Sequence, residues 1–297
     1  MGERLKQFSQ ALVETVKEAG ASVVRVEGRD RLPGTGLVWS GDGLILTADH
    51  LLERDAVRVG LPDGAVVAAQ VVGRDPGVDL AVLRTPANGL QPAAWAEAEA
   101  LQVGGLVLAL GRPSDQVMAT LGVVSALDGG WRTPLGGFID RYLQTDVVMF
   151  PGFSGGPLVD ADGRIAGLNS SALTPGLSLA VPAATARQTV ETLLAHGRVR
   201  RGYLGIGAQA VQLPEALRNA TGQTAGLLLL NVEPGGPAER GGLLLGDTLV
   251  TLNGQPMPSL EKLLAVLGGE LVGRKVAARV IRGGRLKDLA LVVGERP

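Results

Sequence analysis

The stretch "PGFSGGPLVDADGRIAGL" (151–168) sets one serine, Ser154, among Gly152, Gly155 and Gly156, with Pro151 before it and Pro157 after. Glycine loses more backbone freedom on folding than any other residue, so three of them around one hydroxyl mark a shape or a close approach that a Cβ would block. The residues after the serine decide the fold. "GFSGG" satisfies the G-x-S-x-G pattern of a nucleophile elbow, in which the serine leads straight into a helix and the triad order is Ser, acid, His. That reading would recruit His196 with Asp160 or Asp162. Here Pro157 leads instead into an apolar run, an Asp162-Gly163 turn and a second apolar run, which is strand, turn, strand. The elbow fails on context.

Upstream the same pattern repeats. "ASVVRVEG", "GTGLVWS", "GLILTA", "AVRVGL", "AVVAAQVVG" and "DLAVLR" are short β-type runs, punctuated by Asp42-Gly43 and Asp63-Gly64. "GLVLALG", "VMATLGVVSAL", "FIDRYLQT", "PLVD", "RIAGLNS" and "LSLAV" form a second set. Two clusters of strands fit two small barrels better than a βαβ sheet. An amphipathic helix over 4–19, with Leu5, Phe8, Leu12, Val13 and Val16 on one stripe and Gly20 as its stop, precedes them. A second helix, from about Pro182 to Ala195 with Gly197 at its cap, comes after them. Beyond a basic, glycine-flanked "GRVRRG" (197–202), about 95 residues carry five strands and two short helices, "GPAERGG" and "SLEKLLAVL".

A serine hydroxyl needs a base, and the chain offers two histidines. His196 stands in the last turn of the second helix, where an imidazole suits the helix dipole without any catalysis. His50, in "LILTADHLL", lies just past an apolar strand where the chain turns, the kind of place where scaffolds carry chemistry. The third group is a carboxylate that holds the imidazole. In "DPGVDLAVL", Asp79 leads into a strand, whereas Asp75 before Pro76-Gly77 reads as a turn former. Asp49 adjoins His50 but points away from it in an extended segment. The order His50, Asp79, Ser154 is the one that remains.

The net charge of −1, with 28 basic and 29 acidic residues, gives no footprint for nucleic acid or an anionic membrane. With no cysteine, two histidines and no G-x-x-x-x-G-K-[ST] motif, neither a metal site nor a nucleotide cofactor is expected. No apolar run approaches the ~20 residues of a membrane span. "MGERLKQFSQALVETVKEAG" has no signal-peptide core, so the chain as it stands reads as cytoplasmic.

"TADH", "DPGVDLAVL", "LQTDVVMFPGFSGGPLVD" and "GLNSSAL" together resemble the HtrA/Deg family of serine proteases. "RGYLGIG" and "VEPGGPAERGGLLLGDTLVTLNGQ" resemble the opening and middle of that family's PDZ domain. The resemblance covers nearly all of 21–297. It implies a mainly β protein: an N-terminal helix (1–20), a chymotrypsin-like double β-barrel protease domain (21–197), a linker (198–202) and a PDZ domain (203–297). It makes Ser154 the nucleophile, His50 the general base and Asp79 the orienting carboxylate, with the N–H groups of Gly152 and Ser154 as the oxyanion hole. Its implied activity is degradation of unfolded or damaged polypeptides, with C-terminal peptides bound and sensed by the PDZ domain. The alternative is a PDZ-bearing chaperone or scaffold with a latent site.

The N-terminal helix is expected either to pack on its own barrel or to mediate assembly. Family members commonly form trimers through N-terminal segments, which makes Leu5, Phe8 and Leu12 candidates for assembly, and many work in the periplasm or cell envelope. The PDZ carboxylate-binding loop would be Tyr203, Leu204, Gly205 and Ile206, with a side-chain pocket near Leu260, Leu263 and Leu264. Where trypsin-like enzymes carry an aspartate six residues before the serine, this chain has Val148. The substrate pocket is therefore expected to be apolar, built from Val148, Met149 and the run Leu168, Asn169, Ser170 to Ala172. Phe153 stands where the family usually has Asn, and "VVMF" (147–150) where it has "AAIN", so Phe153 is expected at a bulkier, more apolar rim. "ALDGGWRTPLGGFID" (126–140) reads as a long glycine-rich loop around Trp131.

Overall fold

Alternating residues of the first strand set face two different apolar environments, and that is why both halves of each run are hydrophobic. The computed structural model describes residues 2–54, 56–97 and 101–296; Met1 and Pro297, at the limits of the expected domains, lie outside them. The chain forms two compact units, residues 1–199 and 200–297.

In the first unit, helix α1 (Gly2–Gly20) precedes β1 (Val23–Glu27), β2 (Gly34–Val38), β3 (Leu44–Thr47), β4 (Val57–Gly60), β5 (Val66–Asp75) and β6 (Leu80–Arg84). These strands close into a barrel in the order β1-β2-β3-β6-β5-β4. Val24, Val26, Ile45 and Val59 fill its interior, while Val23, Leu37, Leu46 and Leu80 point outward into a second core. The Asp-Gly pairs close the hairpins as the sequence implies, with Gly43 and Gly64 at φ +94° and +90°.

The second barrel uses β7 (Leu106–Gly111) and β8 (Met118–Asp128). A small hairpin comes next, β9 (Trp131–Arg132) and β10 (Phe138–Ile139), before β11 (Tyr142–Thr145), β12 (Pro157–Asp160), β13 (Ile165–Ser170) and β14 (Ser178–Pro182). Its order is β11-β14-β13-β12-β7-β8. Leu108, Leu110, Val159, Leu168 and Val181 meet the outward residues of the first barrel in the shared core. Helix α2 (Ala183–His196) adds Ala186, Val190 and Leu193 to that core. It stops at Gly197, in the left-handed region at φ +71°, whose N–H donates to Leu193 O. The seam between the barrels is thus continuous hydrophobic packing, which holds the two barrels rigidly against each other.

One expectation changes here. The stretch 126–140 is not a long open loop. Trp131 and Arg132 pair with Ile139 and Phe138, and Trp131 packs edge-on against Tyr142 with ring centroids 5.7 Å apart. "FIDRYLQT" is accordingly split between that hairpin and the barrel. Helix α1 packs on the shared core through Leu12 and Val16, one of the two roles the sequence leaves open to it, while Leu5, Phe8 and Val13 stay exposed.

The second unit contains β15 (Gly202–Tyr203), β16 (Ile206–Gln212), α3 (Glu215–Thr221), β17 (Ala225–Val232), α4 (Pro237–Arg240) and β18 (Thr248–Leu252). It continues with β19 (Gln255–Pro256), α5 (Leu260–Val266), β20 (Lys275–Arg282), β21 (Arg285–Val292) and β22 (Gly294–Glu295). Helix α3 is additional to the two short helices expected from the sequence. The sheet order, β16-β17-β18-β20-β21, leaves β16 at an edge. Ser259 caps α5 by accepting the Lys262 N–H at 3.2 Å.

Candidate active site

β3 ends at Thr47 and the chain folds into a single tight turn, Asp49–Leu51, which presents His50 at the seam. Asp49 turns away, as expected. Its carboxylate accepts from Arg74 Nε at 2.5 Å. β5 and β6 are joined by the turn Pro76–Asp79, in which Asp75 is the turn former, accepting the Gly77 N–H at 2.9 Å. Asp79 closes the turn in the left-handed region at φ +57°, a conformation that Asp tolerates better than most residues. That twist sends its carboxylate sideways to the imidazole rather than along the strand.

The carboxylate of Asp79 accepts from His50 Nδ1, at 2.9 Å to Oδ2 and 3.0 Å to Oδ1, and from the His50 backbone N–H at 3.0 Å. Ser170 Oγ donates to the same Oδ2 at 2.5 Å. With Nδ1 carrying its proton toward the acid, Nε2 is left with a free lone pair. His196 is exposed at the end of α2 and is not part of this cluster.

Ser154 sits on the loop between β11 and β12. Phe150–Phe153 is a type II turn, with Pro151 second, Gly152 third at φ +91°, and the Phe153 N–H donating to Phe150 O at 3.0 Å. Gly155, at φ +80°, packs so close to the first barrel that a Cβ there would lie 2.2 Å from Thr35 O, and one on Gly156 would lie 2.1 Å from Leu110 O. The glycines are therefore required by backbone sign and by approach. The N–H groups of Gly152 and Ser154 have no acceptor among the described hydrogen bonds, whereas those of Phe153, Gly155 and Gly156 are engaged. Two free amides on one curled segment suit a developing oxyanion.

Ser170 and Ser171 tie the halves together: Ser170 touches Asp79 and Ser171 touches Ser154. Ser154 Oγ lies 3.0 Å from Ser171 Oγ and accepts the Ser171 N–H at 3.2 Å. Among the described hydrogen bonds, none joins Ser154 to His50. The sequence places Ser171 only within "GLNSSAL" and the expected pocket run, and no spacing pairs it with Ser154.

The expected substrate surface is partly corrected. Phe153 is fully buried and fills the second barrel beside Val107, Leu143 and Leu158, so it is not at the rim. Gly111 makes room for it: a Cβ there would lie 2.5 Å from the ring. Leu168 is buried in the seam, and Asn169 is buried with its amide donating to Gly156 O at 3.2 Å and Pro157 O at 2.9 Å. Both support the loop from behind. Ser170 is buried against Asp79. Val148 is 57% exposed, Met149 is half-buried, and Phe150, absent from the expected pocket, is the exposed aromatic.

In the second unit, Leu204 is buried, and Leu204 O and Gly205 O accept from Ala238 and Glu233 N–H groups at 2.9 and 2.8 Å. The N–H groups of Leu204 and Gly205 have no acceptor among the described hydrogen bonds. Tyr203 hydroxyl donates to the Glu233 carboxylate, which pushes the phenol above its ordinary range. Leu263 is core, while Leu260 is exposed and Leu264 half-buried. Among the described residues no group of side chains is arranged to hold a metal ion, and no helix is long and apolar enough to cross a membrane.

Comparison with known proteins bears on the two domains and the family. Residues 34–168 match the trypsin-like peptidase domain and residues 202–293 the PDZ domain. A probable periplasmic serine endoprotease, DegP-like, of Ectopseudomonas mendocina (strain ymp) is 36% identical over 271 residues, covering 89% of this chain and 56% of that protein. The one of Chlamydia muridarum (strain MoPn / Nigg) is 33% identical over 281 residues, covering 92% and 56%. The chain thus spans about half the length of these curated relatives. Among solved structures, an HtrA-type protease AlgW with decapeptide matches with a TM-score of 0.72 at 30% identity, over 95% of this chain and 98% of that one. The serine endoprotease from Yersinia pestis matches with a TM-score of 0.72 at 30% identity, over 95% and 97%. A seam-lying imidazole and carboxylate, a glycine-built serine loop, a PDZ sheet after them and these likenesses converge: the chain belongs to the HtrA-type family of serine proteases.

Proposed function

We propose that this protein is a serine endopeptidase in which Ser154 is the nucleophile, His50 the general base and then acid, and Asp79 the orienting carboxylate. The observation that carries the reading is the His50–Asp79 pair, held at 2.9 Å on the same seam as a serine flanked by two free amides. A substrate carbonyl draws Ser154 Oγ from Ser171 toward His50, and Nε2 takes its proton as Oγ attacks. The oxyanion is received by the Gly152 and Ser154 N–H groups. The imidazolium, steadied by Asp79, then protonates the leaving amine. Water repeats the sequence on the acyl-enzyme.

The substrates are unfolded polypeptides, cut after small or medium apolar residues. Neither Val147–Phe153 nor Leu168–Ala172 contains an acidic side chain to meet a lysine or arginine. The PDZ unit takes C-terminal peptides as an added strand on β16, with the terminal carboxylate at the Leu204 and Gly205 amides. The exposed Leu5 and Phe8 of α1 support assembly into a homotrimer. The periplasmic relatives support a place in the cell envelope, and the cytoplasmic reading of the sequence finds no support in them.

Casein digestion tests the activity. Ser154→Ala is expected to lower kcat by about 10⁶-fold, and equal rates for the two proteins would end the catalytic reading.

A further inference from the structure

The oxyanion turn belongs to the second barrel, yet what pins it comes from the first. Thr35, on β2, is fully buried. Its Oγ1 donates to Gly152 O at 2.6 Å and accepts the Arg112 N–H at 2.8 Å. Its backbone N–H donates to Ser154 O at 3.1 Å, and its carbonyl accepts Thr47 Oγ1 at 2.7 Å. Thr47 is three residues before His50. One residue therefore holds the carbonyls of both amino acids whose N–H groups face the cleft, and also holds the strand that delivers the base.

We infer that Thr35 is a positioning residue for the oxyanion turn: its hydroxyl, fixed by Arg112 and aimed at Gly152 O, sets where the Gly152 and Ser154 amides point. The proposal rests on the endopeptidase reading of this site. The physical reason is geometric. A turn of four residues with a glycine at its third position has a soft backbone, because glycine populates both signs of φ. Oxyanion donors act only when aimed at the position that the oxygen takes in the transition state. Substrate in the ground state gains little from that aim, so a fault there appears in kcat and leaves KM in place. The hydroxyl supplies a fixed point that a hydrocarbon of the same shape cannot, and its two partners, a buried C=O and a buried N–H, have nowhere else to turn.

The test compares wild type with Thr35→Val, Thr35→Ala and Thr35→Ser, each titrated for active sites with a fluorophosphonate so that rates are per competent enzyme. Valine and alanine remove the same oxygen with different shapes, and either folded variant suffices. The expected result is a kcat roughly 10- to 100-fold lower for valine or alanine, below the 10²- to 10³-fold seen when one oxyanion donor is deleted outright. KM should stay within about threefold. A peptide boronic acid, whose tetrahedral adduct places an oxygen at the two amides, should lose affinity by the same factor as kcat. Serine, which keeps the hydroxyl, should restore both.

A purely structural role would lower melting temperature and titratable sites without moving kcat per site, and that result overturns the proposal. So does a kcat loss unmatched by the boronate, or a serine variant as slow as valine. Should wild type neither react with the fluorophosphonate nor differ from Ser154→Ala, the endopeptidase reading falls and this inference with it. A reactive wild type with an equally fast Thr35→Val removes only the inference.

Discussion

Asp79 and Asp247 are both carboxylates that the fold takes out of water, and they are treated in opposite ways. Asp247, 1% exposed, is paired with Arg282 through bonds of 2.7 Å to each oxygen and also accepts the Leu244 N–H at 2.9 Å. Burial pushes its carboxyl up, but the guanidinium and the amide push further, and it ends below its ordinary value. Asp79, 5% exposed, has no arginine or lysine partner among the described residues: its partners are an imidazole, a backbone N–H and the Ser170 hydroxyl. A buried carboxylate matched by arginine locks a sheet. One that faces an imidazole and a hydroxyl instead fits the orienting role proposed for Asp79. The first arrangement suits stability, and the second suits the proposed reaction.

The sharpest way to break this contrast is Asp79→Asn. An amide would donate to His50 Nδ1, force the proton onto Nε2 and remove the base. The expected loss is about 10⁴-fold in kcat, without a lower melting temperature. A modest loss would mean that Asp79 is structural, like its counterpart.

Asp247→Asn should do the reverse. Breaking the pair is expected to destabilise the second unit by about 2–3 kcal/mol, under the cost of a wholly buried pair because Arg282 is 27% exposed. Peptide hydrolysis per active site should not change. Because the folded carboxyl lies below its unfolded value of about 3.9, the stability it contributes is present above that pH and fades as pH falls through the lower folded value. Urea titrations at neutral and acid pH should show that acid loss in wild type and a smaller one in the variant.

The smallest effect concerns the nucleophile. Ser171→Ala removes one partner of Ser154 Oγ and frees it for His50, so labelling by a fluorophosphonate should quicken about two- to fivefold, the scale of one modest neutral hydrogen bond. A slower variant would show that Ser171 assists the attack instead of competing for the hydroxyl.

Much of the molecule is readable from residues in a row. Asp-Gly pairs mark hairpins, Pro182 and Gly197 bracket a helix, and the order His50, Asp79, Ser154 with a strand after the serine selects the double barrel over the elbow. These are local signals, set by backbone sign and period within a few residues. Phe153 shows where such reading stops. Beside a nucleophile in sequence, it reads as part of the rim, yet the turn that lifts Ser154 toward the cleft drives its neighbour into the barrel, where Gly111 leaves space for it. Trp131 likewise reads as isolated until Tyr142 and a two-residue ladder supply its partners.

Chain order by itself determined most of the strands, the Asp-Gly turns, the long helix after the barrels and the candidates His50, Asp79 and Ser154, but not helix α3 or the β9–β10 hairpin. Tertiary structure alone decided which apolar face looks into a barrel and which into the seam, since alternation marks two faces but cannot say what covers each. It also decided that Thr35 would hold the serine turn, and that Ser170 and Ser171, expected only as pocket lining, would bond to Asp79 and Ser154. Hydrogen bonds spanning 17 to 117 positions leave no trace in spacing, because only folding brings their atoms together.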